Sequence, residues 1–323
     1  MLSQCLRSIP NDVAGGTVEV IVVDNGSVDG SVDVITPLHP RVVLLRNDSN
    51  LGYAPACNQG ADSARGAFLL FLNNDAVLEH GALEALVAAA AREPSVGVLQ
   101  PVILSGDGIG LDSAGSFFTN TGFLWHAESI PSQADPPVQM FAAKGAVMLV
   151  RRDVFEEVKG FDANFFAYFE DSDLCWRARM AGWGVALVPA ARARHLGGAT
   201  TTRFFHAHEI DYLSFRNRMV AILTNSSPRT LFRLIGAHLA ASCATATVFA
   251  CKGKVRSAIA ILRGVTWPFR HPVATWKRRA SRQQGRRVTD KQVFERSVMV
   301  TMTLRRALGL LKMYLPRWTL PQA

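Results

Sequence analysis

The sequence predicts an α/β fold with a mostly parallel sheet and flanking helices, followed by a C-terminal helical region. Two observations support this prediction. Strand-like and helix-like segments alternate over the first 200 residues, and the chain becomes helical from about residue 207. The 323 residues, 49% of them hydrophobic, suffice for one large domain or two smaller ones. This hydrophobic content argues against a disordered chain.

Six apolar segments are predicted as strands: VEVIVVD at 18–24, RVVLLRN at 41–47, AFLLFLNND at 67–75, VGVLQPVIL at 96–104, GAVMLVR at 145–151 and GVALVPA at 184–190. The segments YAPACNQGADSARG at 53–66 and GALEALVAAAARE at 81–93 are predicted as helices, the second because it is Ala- and Leu-rich and uninterrupted. The Gly- and Ser-rich stretch at 106–123 is predicted as a loop or hairpin over one face of the sheet.

Positive charge is concentrated at the C-terminus. Residues 252–323 hold 17 of the 35 Lys and Arg residues and two of the 26 Asp and Glu residues, so the net charge of +9 comes from this tail. Aromatic residues such as Trp267, Trp276, Tyr314 and Trp318 lie among these basic residues. This pattern favours an anionic membrane surface as partner. A solvated helical appendage and a nucleic-acid-binding tail are the alternatives, and we expect no nucleic-acid partner.

One long apolar stretch lies before this tail, at residues 234–251. A helix of this length, rising about 1.5 Å per residue, just reaches the roughly 30 Å hydrocarbon thickness of a bilayer. Ala, Thr and Ser dominate it, so its insertion into a membrane is only weakly favourable. We therefore expect a helix that packs on the domain or lies in the membrane interface rather than one that spans the bilayer.

The cysteines and the N-terminal residues indicate the cellular compartment of the protein. The five cysteines are scattered and form no Cys-x-x-Cys pair, which is typical of a reduced cytosolic protein rather than a disulfide framework or zinc site. The first residues lack the charged and apolar regions of a signal peptide. Together with the basic tail, this predicts a cytoplasmic protein that is peripheral on the inner face of the plasma membrane.

Two polar clusters follow predicted strands, at the sheet edge where ligands bind in open α/β folds. In VVDNGSVDGS, Asp24 and Asn25 could accept hydrogen bonds from a nucleotide, or could belong to a simple strand-to-helix turn. In FLNNDAV, Asn73, Asn74 and Asp75 offer oxygen ligands that suit Mg²⁺ or Mn²⁺ on a diphosphate. Taken alone, the second cluster is better explained by an Asx-turn that caps the next helix.

A third cluster, FFAYFEDSD, places Glu170, Asp171 and Asp173 directly after a run of aromatic residues. It could be a solvated helix start, or one carboxylate could be a base in a dry pocket. Asp173 lies in the first turn of a helix predicted from about residue 172 to 181, where a carboxylate faces the helix dipole, and is interpreted as structural. Further along, His195 precedes two glycines, and a lone histidine is usually structural.

In this order the clusters resemble the family 2 glycosyltransferases with a GT-A fold, a Rossmann-like α/β arrangement, and most closely the bacterial rhamnosyltransferase-like branch. The matching segments are VVDNGSVDGS, NLGYAPACNQG, LLFLNNDAV, KGAVMLVRRDVFEEVKGFDANFFAYFEDSDLCWRARMAGW and RHLGGAT. The resemblance covers roughly residues 2–287. It implies a GT-A nucleotide-sugar domain over residues 1–225 and leaves a basic amphipathic helical region over residues 226–323.

The resemblance also implies roles for individual residues. Asp24 is expected to contact the nucleobase, and Asp75 to bind the Mg²⁺ or Mn²⁺ that clamps the donor diphosphate. Only this last carboxylate of the usual Asp-x-Asp motif is present, so His195 is expected to be a second metal ligand. Asp171 is the expected general base, with Glu170 as the second candidate. The other expected substrate contacts are Asn25, Asn50, Gly52, Asn58, Asn73, Asn74 and Gly145.

The implied reaction is the inverting, metal-dependent transfer of one sugar from a nucleotide-diphosphate donor to a hydroxyl of a cell-envelope glycan or lipid-linked precursor. The resemblance suggests dTDP-rhamnose as donor, with a UDP-sugar as the alternative. The sequence lacks the Gln-x-x-Arg-Trp motif of processive members, which favours single addition. Aromatic residues Phe166, Tyr168 and Phe169 would limit water at the base.

The N-terminus differs from the family pattern. MLSQCLRSI matches only the helix that follows the family's first strand, so we expect unpaired backbone beside residues 18–23. A start codon assigned too far downstream is favoured over a truncated protein as the explanation. The competing functional hypothesis is a truncated, non-catalytic nucleotide-sugar-binding or membrane-associated module.

Overall fold

The computed structural model describes residues 1–30, 32–33, 39, 41–197, 205–295 and 298–303. The helices in these ranges are α1 (Leu2–Arg7), α2 (Tyr53–Ser63), α3 (Ala82–Arg92), α4 (Arg152–Glu157), α5 (Glu170–Met180), α6 (Ala207–Asn225), α7 (Pro228–Cys251), α8 (Val255–Arg270), α9 (Pro272–Gln284) and α10 (Asp290–Val293). The strands are β1 (Asp12–Val13), β2 (Gly16–Thr17), β3 (Val20–Asn25), β4 (Val42–Asn47), β5 (Phe68–Leu72), β6 (Ala76–Leu78), β7 (Val96–Ser105), β8 (Leu111–Ser113), β9 (Ser116–Thr119), β10 (Leu124–His126), β11 (Val138–Gln139), β12 (Val147–Arg151), β13 (Gly184–His195) and β14 (Met299–Val300). The predicted α/β class is confirmed.

A seven-stranded sheet forms the centre, in the order β11-β13-β7-β12-β5, with β6 on β13 and β8 on β7. Its pairing differs from the mostly parallel sheet that the sequence predicted. Within it, β13 and β7 are parallel, while β12 runs antiparallel to both of its neighbours and β6, β8 and β11 pair antiparallel to theirs. Alternating segments predict strand order along the chain but not strand direction, since direction depends on where each connection crosses the sheet.

Strands β3 and β4 form a separate two-stranded parallel sheet. Among the described strands, β3 pairs only with β4, which leaves its other edge without a strand partner, as expected from the sequence. Helix α2 packs on β3, and its Ala54 and Ala61 belong to a core cluster with residues of the central sheet, so α2 joins this small sheet to the rest of the domain.

The core lies on both faces of the central sheet. On one face, α3 inserts Leu83, Leu86 and Ala90 against strands β7 and β13. On the other face, α5 buries Trp176 in an aromatic cluster with Phe118 and Phe141 at ring distances of 5.0 and 5.5 Å. Strand β7 is therefore covered on both sides, which explains its continuous apolar sequence.

Helices α6 to α9 follow the α/β part of the chain and pack against one another and against α5. Helix α8 lies close on α6 at Gly264, where a Cβ atom would come within 2.8 Å of the Tyr212 carbonyl oxygen. Only glycine permits this approach of the two backbones. The predicted domain boundary at residue 225 coincides with the end of α6 and stays a prediction.

Part of the tail's positive charge is used inside the molecule. Nη1 of Arg282 lies 2.7 Å from Oδ1 of the fully buried Asp173, and Arg282 also pairs with Asp162. Arg278 contacts Asp162 at 3.2 Å. Although burial raises it, the charges of Arg282 and Arg278 lower the pKa of Asp162 to about 2. These arginines fix α9 to the α/β domain and are not free to meet an external anion.

Helix α7 contains the apolar stretch singled out in the sequence. In the part of the chain that the structure describes, this helix of 24 residues is the one that is long and apolar enough to cross a membrane, with a mean hydropathy of 1.6 and 28% of its apolar window buried. Length and composition alone are weak evidence for a span. Of the tail aromatics, Tyr314 and Trp318 lie outside the described residues.

Candidate active site

The turn after β5 and the end of β13 bring Asp75 and His195 together. Antiparallel pairing of β13 with β6 places His195 opposite Ala76, the residue after Asp75. Nε2 of His195 lies 3.2 Å from Oδ1 of Asp75, and both side chains are buried. The two residues predicted as metal ligands from distant parts of the sequence are therefore neighbours at one edge of the sheet.

Asn73 and Asn74 precede Asp75 in the same turn but have different surroundings. Nδ2 of Asn73 lies 3.5 Å from Nε2 of His195, and its backbone N–H donates to the Ala146 carbonyl. Asn74 is exposed. Asn73 is thus part of the Asp75–His195 group, whereas substrate contact by Asn74 stays a prediction.

Two charged residues that sequence reasoning missed, Asp112 and Lys144, complete this group. Nδ1 of His195 lies 3.0 Å from Oδ2 of Asp112. Nζ of Lys144 donates to both carboxylate oxygens of Asp112 at 2.7 Å. Asp112 lies on β8, in the segment predicted only as a loop or hairpin, and Lys144 directly precedes Gly145. Asp112 is one of two acidic residues in that Gly-rich stretch, and this was the available signal for it.

The charged residues of this group shift the pKa values of His195 and Asp112. Hydrogen bonds from His195 to Asp112 and Asp75 raise the pKa of the imidazole to about 9, against the opposing effect of burial. Although burial raises it, hydrogen bonds from His195 and Lys144 lower the pKa of Asp112 below its ordinary value. In this arrangement His195 is a cation held between two carboxylates.

The same arrangement fits a divalent cation in place of the imidazole proton. A carboxylate oxygen of Asp75 and Nε2 of His195 are ligands that Mn²⁺ or Mg²⁺ accepts, and Asp112 on Nδ1 would orient the ring as carboxylates do behind metal-bound histidines. Within the described residues, no group of three or more His, Cys, Asp or Glu side chains converges on a single point for a metal ion. The remaining ligands would have to come from substrate or water.

Asp171 lies at the start of α5, beside the loop that ends in Gly145. Its Oδ2 accepts a hydrogen bond of 2.8 Å from the Gly145 N–H, and its Oδ1 accepts from the N–H and hydroxyl of Ser172 at 2.6 and 3.0 Å. The side chain is half-buried. A Cβ atom at position 145 would lie 3.3 Å from Cβ of Asp171, so glycine lets the loop approach the carboxylate. The predicted base and Gly145 are therefore in direct contact.

Glu170, the second candidate base, has different surroundings. It is buried, and none of the described residues hydrogen-bonds its Oε2. Burial, followed by the charge of Asp171, raises its pKa to about 8. The two residues before it, Tyr168 and Phe169, have φ angles of +69° and +73°, a left-handed conformation that is strained for aromatic residues. Helix α5 begins at Glu170, two residues earlier than predicted.

A third group lies at the end of β3. Oδ1 of Asp24 accepts a hydrogen bond of 2.9 Å from the Ser27 N–H, so this carboxylate stabilises the turn. Nδ2 of Asn25 donates to Oδ1 of Asn50 at 3.0 Å and to the Gly52 carbonyl at 3.1 Å. The predicted substrate contacts Asn25, Asn50 and Gly52 are thus brought together next to Asp24.

Tyr53 joins the third group to the base. Its hydroxyl donates to the Gly145 carbonyl at 2.8 Å, and its N–H donates to the Phe166 carbonyl at 2.7 Å. Gly52 has a φ of +97°, and a Cβ there would lie 2.7 Å from the Phe166 carbonyl oxygen. A residue with a side chain would push this loop away from the aromatic segment. Sequence reasoning did not identify Tyr53.

Two further residues have structural contacts. Asn58 donates to the Phe161 carbonyl and accepts from the Phe161 N–H, both at 2.9 Å, so both ends of its amide are occupied. Its predicted substrate contact stays a prediction. Asp173 is fully buried and pairs with Nε of Arg177 at 2.8 Å as well as with Arg282. Arginine pairs surround this carboxylate, in addition to the helix dipole that the sequence suggested.

The aromatic residues predicted to limit water at the base, Phe166, Tyr168 and Phe169, differ in burial. Phe169 is buried, with its ring 5.4 Å from the guanidinium of Arg218. Phe166 and Tyr168 each contact the ring of Phe205 at 6.0 Å. The rings of Phe166, Tyr168 and Phe205 form a half-buried cluster next to the strained turn that leads into Glu170 and Asp171.

Comparisons with known proteins agree with the fold described above. The sequence profile described as glycosyl transferase family 2 matches residues 1–159. The N-acetylglucosaminyl-diphospho-decaprenol L-rhamnosyltransferase of Mycobacterium tuberculosis is 32% identical over 213 residues, which are 58% of this chain and 69% of that protein. The low-salt glycan biosynthesis hexosyltransferase Agl10 of Haloferax volcanii is 26% identical, over 64% of this chain and 67% of that protein.

Solved structures share the fold at low sequence identity. TarS 1–349 of S. aureus in complex with UDP-GlcNAc has a TM-score of 0.55 at 14% identity, covering 88% of this chain and 85% of that chain. GalNAc-T7 with UDP, GalNAc and Mn²⁺ has a TM-score of 0.51 at 16% identity, covering 64% of this chain and 41% of that chain. These likenesses confirm the GT-A fold that the sequence predicted. The profile match and the identity to the mycobacterial enzyme establish that the chain belongs to glycosyltransferase family 2 and is a glycosyltransferase.

Proposed function

We propose that this enzyme transfers a single sugar from a nucleotide-diphosphate donor to an acceptor hydroxyl, with inversion at the anomeric carbon and with dependence on a divalent cation. The acceptor is a hydroxyl of a cell-envelope glycan or of a lipid-linked precursor. One observation carries the proposal: the candidate base and the candidate metal ligands belong to one connected group of side chains.

That connection runs through two adjacent residues. Gly145 contacts Asp171 through its N–H, and the neighbouring Lys144 holds Asp112 through its ammonium group. Asp112 in turn contacts His195, which contacts Asp75. A shift of the loop at 144–145 would move both ends together. Such coupling suits a reaction in which deprotonation of the acceptor and departure of the diphosphate occur in one step.

Asp171 accepts the acceptor proton in this mechanism. As the acceptor oxygen forms its bond to the anomeric carbon, the bond from that carbon to the diphosphate oxygen breaks, and the hydroxyl proton moves to Asp171. The bonds from Gly145 and Ser172 fix the direction of the carboxylate. Glu170 is a poorer base, because its buried side chain keeps its proton up to a pH of about 8. Attack on the face of the anomeric carbon opposite the departing diphosphate produces inversion.

Asp75 and His195 would hold the cation. When bound, a divalent cation neutralises the negative charge that develops on the leaving diphosphate. Asp112 keeps the imidazole in one orientation, with Nδ1 directed at its carboxylate and Nε2 directed at Asp75. Lys144, whose side chain is 36% exposed, keeps a positive charge at the edge of the same group.

The relatives guide the choice of donor and acceptor. The name of the mycobacterial relative states an L-rhamnose transfer to a GlcNAc-diphospho-decaprenol lipid. We therefore propose dTDP-rhamnose as the first donor to test, with a UDP-sugar as the alternative, and a polyprenyl-diphosphate sugar as the acceptor class. A lipid-linked acceptor requires access to a membrane, so we further propose a cytoplasmic enzyme that is peripheral on the inner face of the plasma membrane.

A transfer assay tests this function. The purified chain is incubated with Mn²⁺, with dTDP-rhamnose or UDP-GlcNAc, and with a short-chain polyprenyl-diphosphate GlcNAc acceptor. The expected result is one added sugar per acceptor, loss of transfer with EDTA and its recovery with Mn²⁺. Proton NMR of the product is expected to show an anomeric configuration opposite to that of the donor.

Three outcomes would contradict separate parts of the proposal. Retention of the donor's configuration would exclude the direct displacement, and full activity in EDTA would exclude the role of Asp75 and His195 as cation ligands. Calorimetric binding of dTDP or UDP without turnover of any donor would favour the competing hypothesis of a nucleotide-sugar-binding module for this chain.

A further inference from the structure

Helices α8 and α9 expose a row of large apolar side chains. Val255, Ile259, Leu262, Phe269, Val273 and Trp276 are between 43% and 71% exposed, and Trp276 is the most exposed of them. Within α8 and within α9, a spacing of three, four or seven residues places them on one side of each helix. The row begins at the start of α8 and continues into α9. Scattered exposed apolar residues are ordinary, but a continuous row over two helices marks an interaction surface.

Positive charges accompany this row at a regular interval. Arg256, Arg263, Arg270 and Lys277 are exposed and lie seven residues apart, each directly after a position of the apolar row. The sequence from residue 252 to 289 contains no Asp or Glu. The charged residues that α8 and α9 themselves place beside the apolar row are therefore all cations, in contrast to the mixed charges of an ordinary solvated helix face.

The opposite faces of the same helices are fixed to the protein. Helix α8 buries Ile261 and Val265 and packs on α6 through Gly264. Helix α9 directs Arg282 at Asp162 and Asp173, and Arg279 donates to the Ser226 carbonyl at 2.9 Å. Because the inner faces are held by packing and ion pairs, the apolar row faces outward in the folded protein.

We propose that the outward face of α8 and α9, defined by these six apolar residues and the four cations, binds an anionic lipid surface. Apolar side chains would enter the boundary between headgroups and acyl chains, while the cations contact lipid phosphates. Exposed Trp and Phe suit this boundary. The inference extends the proposed function, on whose lipid-linked acceptor the need for a membrane rests, by naming the contact surface.

The charge pattern favours lipid over a second copy of this chain. A helical pair that buried the row would bring the two sets of cations close together, and this stretch has no carboxylate to pair with them. Helix α7 is less suited to the same contact, although it is the more apolar helix. Its exposed residues, apart from Phe232, are mostly small, such as Gly236, Ala240 and Ala244.

Vesicle co-sedimentation of the full chain tests this surface. Phosphatidylcholine vesicles with and without phosphatidylglycerol serve as the probe. We expect binding to the anionic vesicles that weakens with added salt, because surface charges are screened within about 10 Å at moderate ionic strength. Binding that is equal on both kinds of vesicle would overturn the role of the cations.

Two sets of substitutions separate the apolar and cationic parts. The double variant Phe269→Ser, Trp276→Ser is expected to bind anionic vesicles at least about tenfold more weakly. The triple variant Arg263→Gln, Arg270→Gln, Lys277→Gln is expected to lose on the order of a hundredfold in affinity and most of the salt dependence. These positions are exposed, so far-UV circular dichroism and the urea midpoint should stay unchanged.

Matched controls come from apolar residues elsewhere that are at least as exposed. Phe232→Ser on α7 and Ile109→Ser in the hairpin before β8 remove side chains that are 85% and 80% exposed. Both should bind vesicles like the unmodified chain. If Phe232→Ser abolishes binding while the double variant binds normally, the contact lies on α7 and our assignment is wrong. Light scattering that shows a dimer broken by the double variant would identify a second copy as the occupant and would also overturn it.

Failure of this inference is distinguishable from failure of the proposed function. Calorimetric binding of dTDP and UDP needs no membrane and should be the same for all variants. Vesicle binding lost as expected in a chain that transfers no sugar would support the surface and contradict the reaction. Sugar transfer to a soluble acceptor by a chain that never binds vesicles would support the reaction and contradict the surface.

Discussion

The backbone N–H of Gly145 donates a 2.8 Å hydrogen bond to Oδ2 of Asp171. The adjacent Lys144 holds Asp112 at 2.7 Å and, through it, His195. The acidic residue at the start of α5 is therefore connected to the Asp75–His195 pair by one short loop.

Asp171→Asn removes the proposed base and keeps its volume. We expect kcat to fall by about 10²- to 10⁴-fold, because the amide cannot take the acceptor proton. Calorimetric affinity for the donor nucleotide should change little. The control is Asp135→Asn, in an exposed loop where the carboxylate caps only Ser132. A rate close to that of the unmodified enzyme would place the base at another residue.

Asp112→Asn tests whether the carboxylate of Asp112 orients the imidazole of His195. Since Asp112 orients the imidazole through Nδ1, its replacement should weaken Mn²⁺ binding by roughly 10- to 100-fold, as found for carboxylates behind metal ligands. The measurement is calorimetric titration of Mn²⁺ in the presence of the donor nucleotide. Asp107→Asn is a matched control in the same hairpin, with bonds only to Ser105, Ile109 and Gly110. Equal Mn²⁺ affinity in both variants would exclude the orienting role.

Glu170→Gln should change how stability depends on pH. The pKa of Glu170 is about 8 in the folded protein and 4.5 without burial, so between these values unfolding releases a proton. The free energy of unfolding of the native chain therefore loses a contribution as pH rises from about 4.5 to about 8. The Gln variant lacks this loss, so its relative stability should grow with pH, by on the order of a few kcal/mol at most.

Urea unfolding at about pH 5 and about pH 8 measures this effect, because the two free energies are compared across the range in which Glu170 titrates. The native chain and the variant should differ little at the lower pH and most at the higher one. Parallel pH profiles would mean that Glu170 is ionised in the folded protein, which would restore it as a candidate base.

Arg282→Ala breaks the buried ion pairs that hold α9. Asp162 and Asp173 would each lose a partner, and loss of one partner of a buried pair costs about 3–5 kcal/mol. Arg287→Ala is the matched control, since its pair with Glu157 involves a side chain that is 65% exposed and should contribute less than about 1 kcal/mol. Urea unfolding measures both. Similar losses in the two variants would mean that the buried pairs contribute little.

Much of the site was predictable because its residues follow segments that the sequence makes recognisable. Asp75, Asp171 and His195 occur at the ends of apolar or aromatic segments, and the resemblance gave each a place in a known order of motifs. Asp112 was missed because it lies in none of the segments that carry the resemblance. Lys144 begins one of those segments but was given no role there. Asp112 reaches His195 only because β8 pairs with β7, which a Gly- and Ser-rich sequence does not reveal.

For the basic tail, the sequence likewise gives the number of charges but not their partners. The sequence predicts a basic, helical region with aromatic residues, and it predicts an anionic partner from the total charge. Arg278 and Arg282 are instead directed at Asp162 and Asp173, far away in sequence. The remaining cations lie in a regular row beside exposed apolar residues. The total charge of the tail is therefore larger than the charge that is available to bind a partner.

By itself, the sequence determined the α/β class, the family and the residues at three strand ends, because these depend on local periodicity and on motifs of contiguous residues. The tertiary structure alone decided strand direction, the Asp112–Lys144 contacts, the burial of Glu170 and the division of the arginines between inside and outside. Each of these depends on distances between residues far apart in the chain. Such distances follow from how the helices and the sheet pack together, and no local pattern encodes them.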